Sequence, residues 1–146
     1  KMIKKNKNVV QNLTLREVKE KDFKQVIDIL HKYMSEFLPD FRYKDIIFNN
    51  FISQTNVYGV VAEFEKKIIG YGCIIFEIKI RGSKIGHIED IVTDKNFRKL
   101  GVGSLILNKL YNRAQKEKCY KICLASFKDA VPFTTELVNG AISLAK

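Results

Sequence analysis

The chain has 146 residues, 46% of them hydrophobic, with 26 basic and 16 acidic side chains for a formal net charge of +10. That length suits one domain, and that apolar content excludes wholesale disorder. No apolar run reaches the roughly 18 residues a membrane span requires, and the polar stretch from Lys1 to Gln11 lacks the apolar core of a signal peptide.

A cytoplasmic protein with no membrane attachment is therefore expected. The positive charge attracts polyanions. The lysines are scattered along the chain rather than gathered in one stripe, so an anionic small molecule suits them better than nucleic acid. The three cysteines, Cys73, Cys119 and Cys123, are an odd count that argues against a complete disulfide framework. The spacing of Cys119 and Cys123, with His31 and His87 far away, lacks the two tight ligand pairs of a zinc site. They read as small hydrophobes, and no metal is expected.

In chain order, residues 1–11 are expected as a flexible arm and 12–146 as a single domain. Asn12 to Val18 places Leu13 and Leu15 on one side of an extended segment. Asp22 opens a helix whose Val26, Ile29, Leu30, Tyr33 and Phe37 share one face, and Pro39 ends it. A short second helix is expected from Tyr43 to Ser53. Val57 to Glu63 and Ile68 to Ile80 read as strands joined by a turn at Glu65, Lys66 and Lys67, and Gly82-Ser83 marks the next turn before a strand from Ile85 to Thr93. The polar segment from Asp94 to Leu100 precedes a helix with an apolar stripe of Val102, Leu105, Ile106, Leu110 and Ala114, and a strand from Tyr120 to Ala125 follows. The pattern is α/β with a mixed sheet flanked by helices, the last helix being long enough to cross over and make two strands parallel.

The most informative stretch runs from Arg98 through Lys99, Leu100, Gly101 and Val102 to Gly103 and Ser104, after a strand and at the start of a helix. Glycines there allow a tight turn and close approach of a ligand. The unpaired first amides of the helix, at the positive end of its dipole, suit a phosphate or pyrophosphate. Arg98 and Lys99 add charge at the rim. The loop lacks the lysine of a Walker motif, and Ile106 stands where a dinucleotide fingerprint needs its third glycine.

This stretch resembles the R/Q-x-x-G-x-G/A signature of the GNAT acetyltransferases. The resemblance implies an acyl-CoA N-acyltransferase fold, with the loop amides on the pyrophosphate of acetyl-CoA and the backbone of Ile91, Val92 and Thr93 along its pantetheine arm. The flanks are similar to the glucosamine-6-phosphate N-acetyltransferases within that family. Gly86-His87-Ile88-Glu89-Asp90-Ile91-Val92 resembles their G-H-I-E-D strand, Cys119-Tyr120-Lys121-Ile122 their C-Y-K segment, and Ile75-Phe76-Glu77-Ile78-Lys79 their E-x-K strand. The likeness runs from about Ile68 to Leu124. It implies sugar contacts from Ile88, Glu89 and Asp90, sugar-phosphate contacts from Lys79, Tyr120 and Lys121, and a homodimer.

Chemistry adds a reason of its own. An amine attacks only when neutral, so a carboxylate beside it, Glu89 or Asp90, is a candidate proton acceptor. Adjacent residues on a strand point to opposite faces unless a bulge intervenes. Amides near Ile91 and Val92 are candidates to stabilise the tetrahedral oxyanion. The C-terminal part departs from the family: Thr134 stands at the position of a tyrosine that serves the leaving thiolate, Ala130 at that of an asparagine and Ala125 at that of an acid. Two alternatives remain at this level: acetylation of another amine, and a non-catalytic acyl-CoA-binding module.

Overall fold

The computed structural model describes residues 2–34 and 41–124. Five strands form one sheet in sequential order: β1 (Thr14–Glu17), β2 (Val57–Phe64), β3 (Lys67–Ile78), β4 (Lys84–Thr93) and β5 (Lys121–Leu124). The first four pair antiparallel. β5 runs parallel to β4, because helix α4 (Val102–Lys116) crosses over between them. The mixed sheet expected from the sequence is therefore present. The β2–β3 connection needs no glycine: Glu65 and Lys66 both sit at positive φ, the two-residue geometry that matches strand twist.

Each face of the sheet buries its own core. On one side α4 presents Val102, Ile106, Leu110 and Ala114, spaced one per helical turn and almost wholly buried. The helix lies close because β3 offers Gly70 and Gly72 beneath it. A Cβ at Gly72 would stand 2.4 Å from Ile91 Cδ1 and 2.9 Å from Ile106 Cγ2. On the other side α2 (Phe23–Met34) and α3 (Lys44–Ile52) pack over β2 and β3. There Val26, Ile27 and Leu30 meet Val61, Ile68 and Tyr71. Arg16 on β1 fixes the entry to α2 with a two-pronged bond to Asp22, its Nη1 and Nη2 donating at 2.6 and 2.7 Å, while also pairing with Glu63 on β2. Asp22 is held below the usual carboxylate range against the opposing pull of burial, chiefly by Arg16 and by the amide of Lys19.

One reading from sequence changes. Residues 1–11, expected as a flexible arm, contain helix α1 (Met2–Asn12), and Val9 on it is buried in the α4-side core. Burial of that one apolar position outweighs the polar character of the rest. The expected helix end at Pro39, and the positions Ala125, Ala130 and Thr134, lie outside the described residues.

Candidate functional site

The chemistry gathers where β4 breaks its regular pairing. Cys73 pairs with Glu89 and Tyr71 with Val92, so two steps on β3 match three on β4. The extra residue is a bulge, and Asp90 occupies it at φ 56°, in the left-handed region that aspartate tolerates better than most residues. Glu89, opposite Cys73, faces the α2/α3 side. Asp90 lines a cavity with Tyr71 on that same side. Regular alternation would have parted these two carboxylates, and the bulge brings them to one face. Partial burial raises the Asp90 carboxyl above its usual range. Beneath it lie two neutral groups. Burial pushes the Cys73 thiol up to about 12 and the Tyr71 phenol well above its ordinary value, and the two side chains share a hydrogen bond. The Cys73 thiol also donates to the Glu89 carbonyl at 3.6 Å.

On its other edge β4 runs beside β5. Among the described residues its ladder with β5 ends at Ile88 and Leu124, while β4 continues to Thr93. Asp90 and Ile91 also drop out of the ladder with β3.

Along the same face, toward the start of β4, lies a polar cluster. Glu77 Oε2 is 2.7 Å from His87 Nε2, and Glu77 Oε1 accepts from Lys79 Nζ at 2.8 Å. Lys79 and then His87 hold the Glu77 carboxyl below its usual range. Arg81 Nη2 donates to the Tyr120 hydroxyl at 2.8 Å, and Lys121 Nζ is 5.8 Å from the Tyr120 ring centre. Lys79, Tyr120 and Lys121, expected together, are thus neighbours at one end of the sheet. Lys121 pairs with Ile85, four residues before Glu89. At about 3.3 Å per residue the separation along β4 is about 13 Å, a gap that a ligand and extended lysine side chains must span jointly.

The glycine loop continues from the far end of β4. Asp94 accepts from the Asn96 amide and starts a 3₁₀ turn over Lys95–Phe97. Arg98 folds back rather than lying free at the rim: its Nε donates to the Thr93 carbonyl at 3.2 Å and its guanidinium lies 4.6 Å from the Tyr33 ring centre. The Tyr33 hydroxyl accepts from the Lys95 amide at 2.8 Å. These contacts tie the loop to both β4 and α2. Lys99 and Gly101 take positive φ, and Gly101, at φ 90°, caps α4. A Cβ added at Gly101 would meet no atom within 4 Å, so the space over the helix start is open. The first-turn amides of Val102, Gly103 and Ser104 face no earlier helical carbonyl. Open space above unpaired amides at a helix start suits an anionic group such as a phosphate.

Residues 23–137 match the acetyltransferase (GNAT) family. The chain belongs to this family. GNAT enzymes use acetyl-CoA. Among curated proteins, glucosamine 6-phosphate N-acetyltransferase of Trypanosoma brucei brucei is 32% identical over 49% of this chain and 50% of its own. Glucosamine 6-phosphate N-acetyltransferase 1 of Dictyostelium discoideum is 35% identical over 59% of this chain and 58% of its own. The chain thus spans about half the length of these relatives. A solved glucosamine-6-phosphate N-acetyltransferase from Arabidopsis thaliana superposes with a TM-score of 0.76 at 25% identity, over 85% of this chain and 88% of that one.

Sequence reasoning missed several contacts around these residues. Arg81 at Tyr120, Glu77 at His87 and Tyr33 under Arg98 were not singled out as pairs. The second follows from the β3–β4 register once Gly82, at φ 84°, is placed at the hairpin tip, and the first needs in addition the parallel pairing that sets Lys121 beside Ile85. The third joins positions far apart in the chain and has no local signal. Among the described residues no group of three histidine, cysteine or acidic side chains is arranged to hold a metal, and no helix is long and apolar enough to cross a membrane.

Proposed function

We propose that this protein transfers acetyl from acetyl-CoA to the amine of glucosamine 6-phosphate, giving N-acetylglucosamine 6-phosphate. The observation that carries the reading is the bulge at Asp90, which sets two carboxylates on one sheet face. Names borne by relatives, and the basic cluster on that face, supply the choice of acceptor.

In this reading the pyrophosphate rests on the loop from Arg98 to Ser104 and the pantetheine arm runs along Ile91, Val92 and Thr93. Glu89 and Asp90 orient the ammonium and take its proton, directly or through water. Desolvation raises the Asp90 carboxyl above its usual range, so it holds a proton more readily than an ordinary aspartate. The neutral nitrogen attacks the thioester carbon, main-chain amides near Ile91 and Val92 stabilise the oxyanion, and the C–S bond breaks to release the thiolate. Ile88 forms part of the acceptor wall. Lys79, Tyr120 and Lys121, with Arg81, meet the sugar phosphate through charge-assisted hydrogen bonds. The assembly proposed is a homodimer, which a single sedimenting species of 16.9 kDa would refute.

The test is thiol release from acetyl-CoA with a panel of amino sugars, amino-sugar phosphates, peptides and polyamines. Glucosamine 6-phosphate should have the highest kcat/KM. Equal use of glucosamine and its 6-phosphate, or preference for a peptide, would overturn the acceptor. No thiol release with any amine would overturn the activity.

A further inference from the structure

A cavity of about 160 Å³ lies between α2, α3 and the sheet, and apart from Asp90 the proposed sugar reaction gives its lining no role. Its walls are apolar: Phe23, Val26 and Ile27 from α2, Phe48 and Phe51 from α3, and the Tyr71 ring from β3. Its polar edge holds Asp90, His31 and Lys44. Asp90 is the anion among them and the one lining residue on β4. At the opposite limit is Val18, whose amide bonds Gly59 on β2. The cavity therefore runs from the β4 bulge across β3 toward β2, about two strand spacings or roughly 10 Å.

A hexose phosphate does not suit this space. Its hydroxyls would be buried against hydrocarbon with few partners, at a cost of a few kcal/mol each. Volume and chemistry suit a compact apolar group: an apolar cavity of about 150 Å³ takes up benzene. The carboxylate at the β4 end fits an ammonium, at the place where acetyl would be received.

We infer that the cavity holds the apolar body of a second class of acceptor, a primary arylalkylamine, with its ammonium on Asp90 and its ring between α2 and α3. The inference rests on the acetyl-transfer reading for turnover but not for binding. In the reaction the amine loses one proton to Asp90 or to water. Its lone pair forms the N–C bond to the thioester carbon, the C–S bond breaks, and the thiolate leaves to be protonated from solvent. The product is an N-acetylarylalkylamine. No oxidant or further reactant is needed.

The test uses phenethylamine on the whole chain in two arms. By calorimetry without acetyl-CoA, phenethylamine should bind, and its neutral isostere 2-phenylethanol should bind about tenfold or more weakly, since it cannot pair with Asp90. By thiol release, kcat/KM should rise on the order of 10–100-fold from methylamine to phenethylamine, as apolar area enters the cavity. It should fall again for 2-(1-naphthyl)ethylamine, which is too large. Val26→Phe, which fills the space, should abolish phenethylamine use while leaving glucosamine 6-phosphate turnover near wild type. The amine series on wild-type protein keeps the idea testable if that variant does not fold. If glucosamine 6-phosphate is acetylated but phenethylamine neither binds nor reacts, the cavity assignment is wrong and the sugar reading stands. If phenethylamine binds and no amine releases thiol, the cavity assignment stands and the proposed enzymatic function falls. Binding that Val26→Phe leaves unchanged places the ligand elsewhere and overturns the inference.

Discussion

Gly101 offers a way to separate folding from ligand approach. Replacing it with alanine puts a methyl where no protein atom lies within 4 Å, so the folding cost is confined to holding an L-residue at φ 90°. That strain is about 1–2 kcal/mol. For a domain of this size it lowers Tm by about 2–4 °C per kcal/mol, or about 2–8 °C in all. Gly82 provides a matched control. It sits at φ 84°, an added Cβ there also meets nothing within 4 Å, and it lies in the β3–β4 hairpin rather than at the α4 start. Gly82→Ala should show the same loss of Tm with no change in acetyl-CoA affinity. Gly101→Ala should in addition weaken acetyl-CoA by about tenfold or more, equivalent to about 1.4 kcal/mol of binding, because its methyl occupies the path of the pyrophosphate to the amides. Differential scanning fluorimetry and isothermal titration measure the two quantities. If both variants lose stability alike and both bind acetyl-CoA as wild type does, the loop is not the pyrophosphate cradle.

Three further outcomes are expected. Asp90→Asn should lower kcat by about 10²–10⁴-fold yet raise Tm at neutral pH. A carboxyl whose pKa is raised in the fold opposes folding once ionised, so the gain should disappear well below the usual carboxylate range, where Asp90 is protonated in both states. A Tm gain that is the same at every pH would contradict burial as its cause. Lys121→Ala should reduce kcat/KM for glucosamine 6-phosphate by about 10–150-fold and narrow its advantage over glucosamine, leaving acetyl-CoA affinity unchanged in titration. Gly72→Ala should destabilise by about 1–3 kcal/mol in urea unfolding, because its Cβ falls 2.4 Å from Ile91 Cδ1 beneath α4. A neutral result would mean that the α4–β3 packing is looser than described.

The order of strands and helices was legible because each element has a strong period and clear punctuation. Of the expected stripe Val102, Ile106, Leu110 and Ala114 are buried, while Leu105 is only half-buried and Leu107 takes a buried place instead; Gly101 caps α4 as its position suggests. The bulge was legible only as a condition. Nothing in Ile88-Glu89-Asp90-Ile91 specifies an extra residue, since a bulge is a property of two strands and depends on where Cys73 and Tyr71 find partners. α1 escaped for a related reason. Its lysine-rich sequence gives little reason to form a helix alone, and the stabilising contact, Val9 against the α4-side core, is tertiary. The cavity has no sequence signature at all, because its walls carry the same apolar residues that elsewhere fill a core. The Glu77–His87 pair needed only correct counting across the hairpin.

The extra residue in β4 also sets a rule of parity for the chain. Upstream of Asp90, Ile88 belongs to the α4 side and Glu89 to the α2 side; downstream, Ile91 belongs to the α4 side and Val92 to the α2 side. Losing one residue between Glu89 and Val92, Asp90 above all, would restore unbroken alternation with the flanking side chains still in their present layers, because two steps on β3 would then face two on β4. The loss of two would leave one step against two and turn Val92, with the loop beyond it, toward the wrong layer unless β3 bulged in its place. A homologous domain one residue shorter here would therefore keep both cores and lose only the device that brings Glu89 and Asp90 to one face.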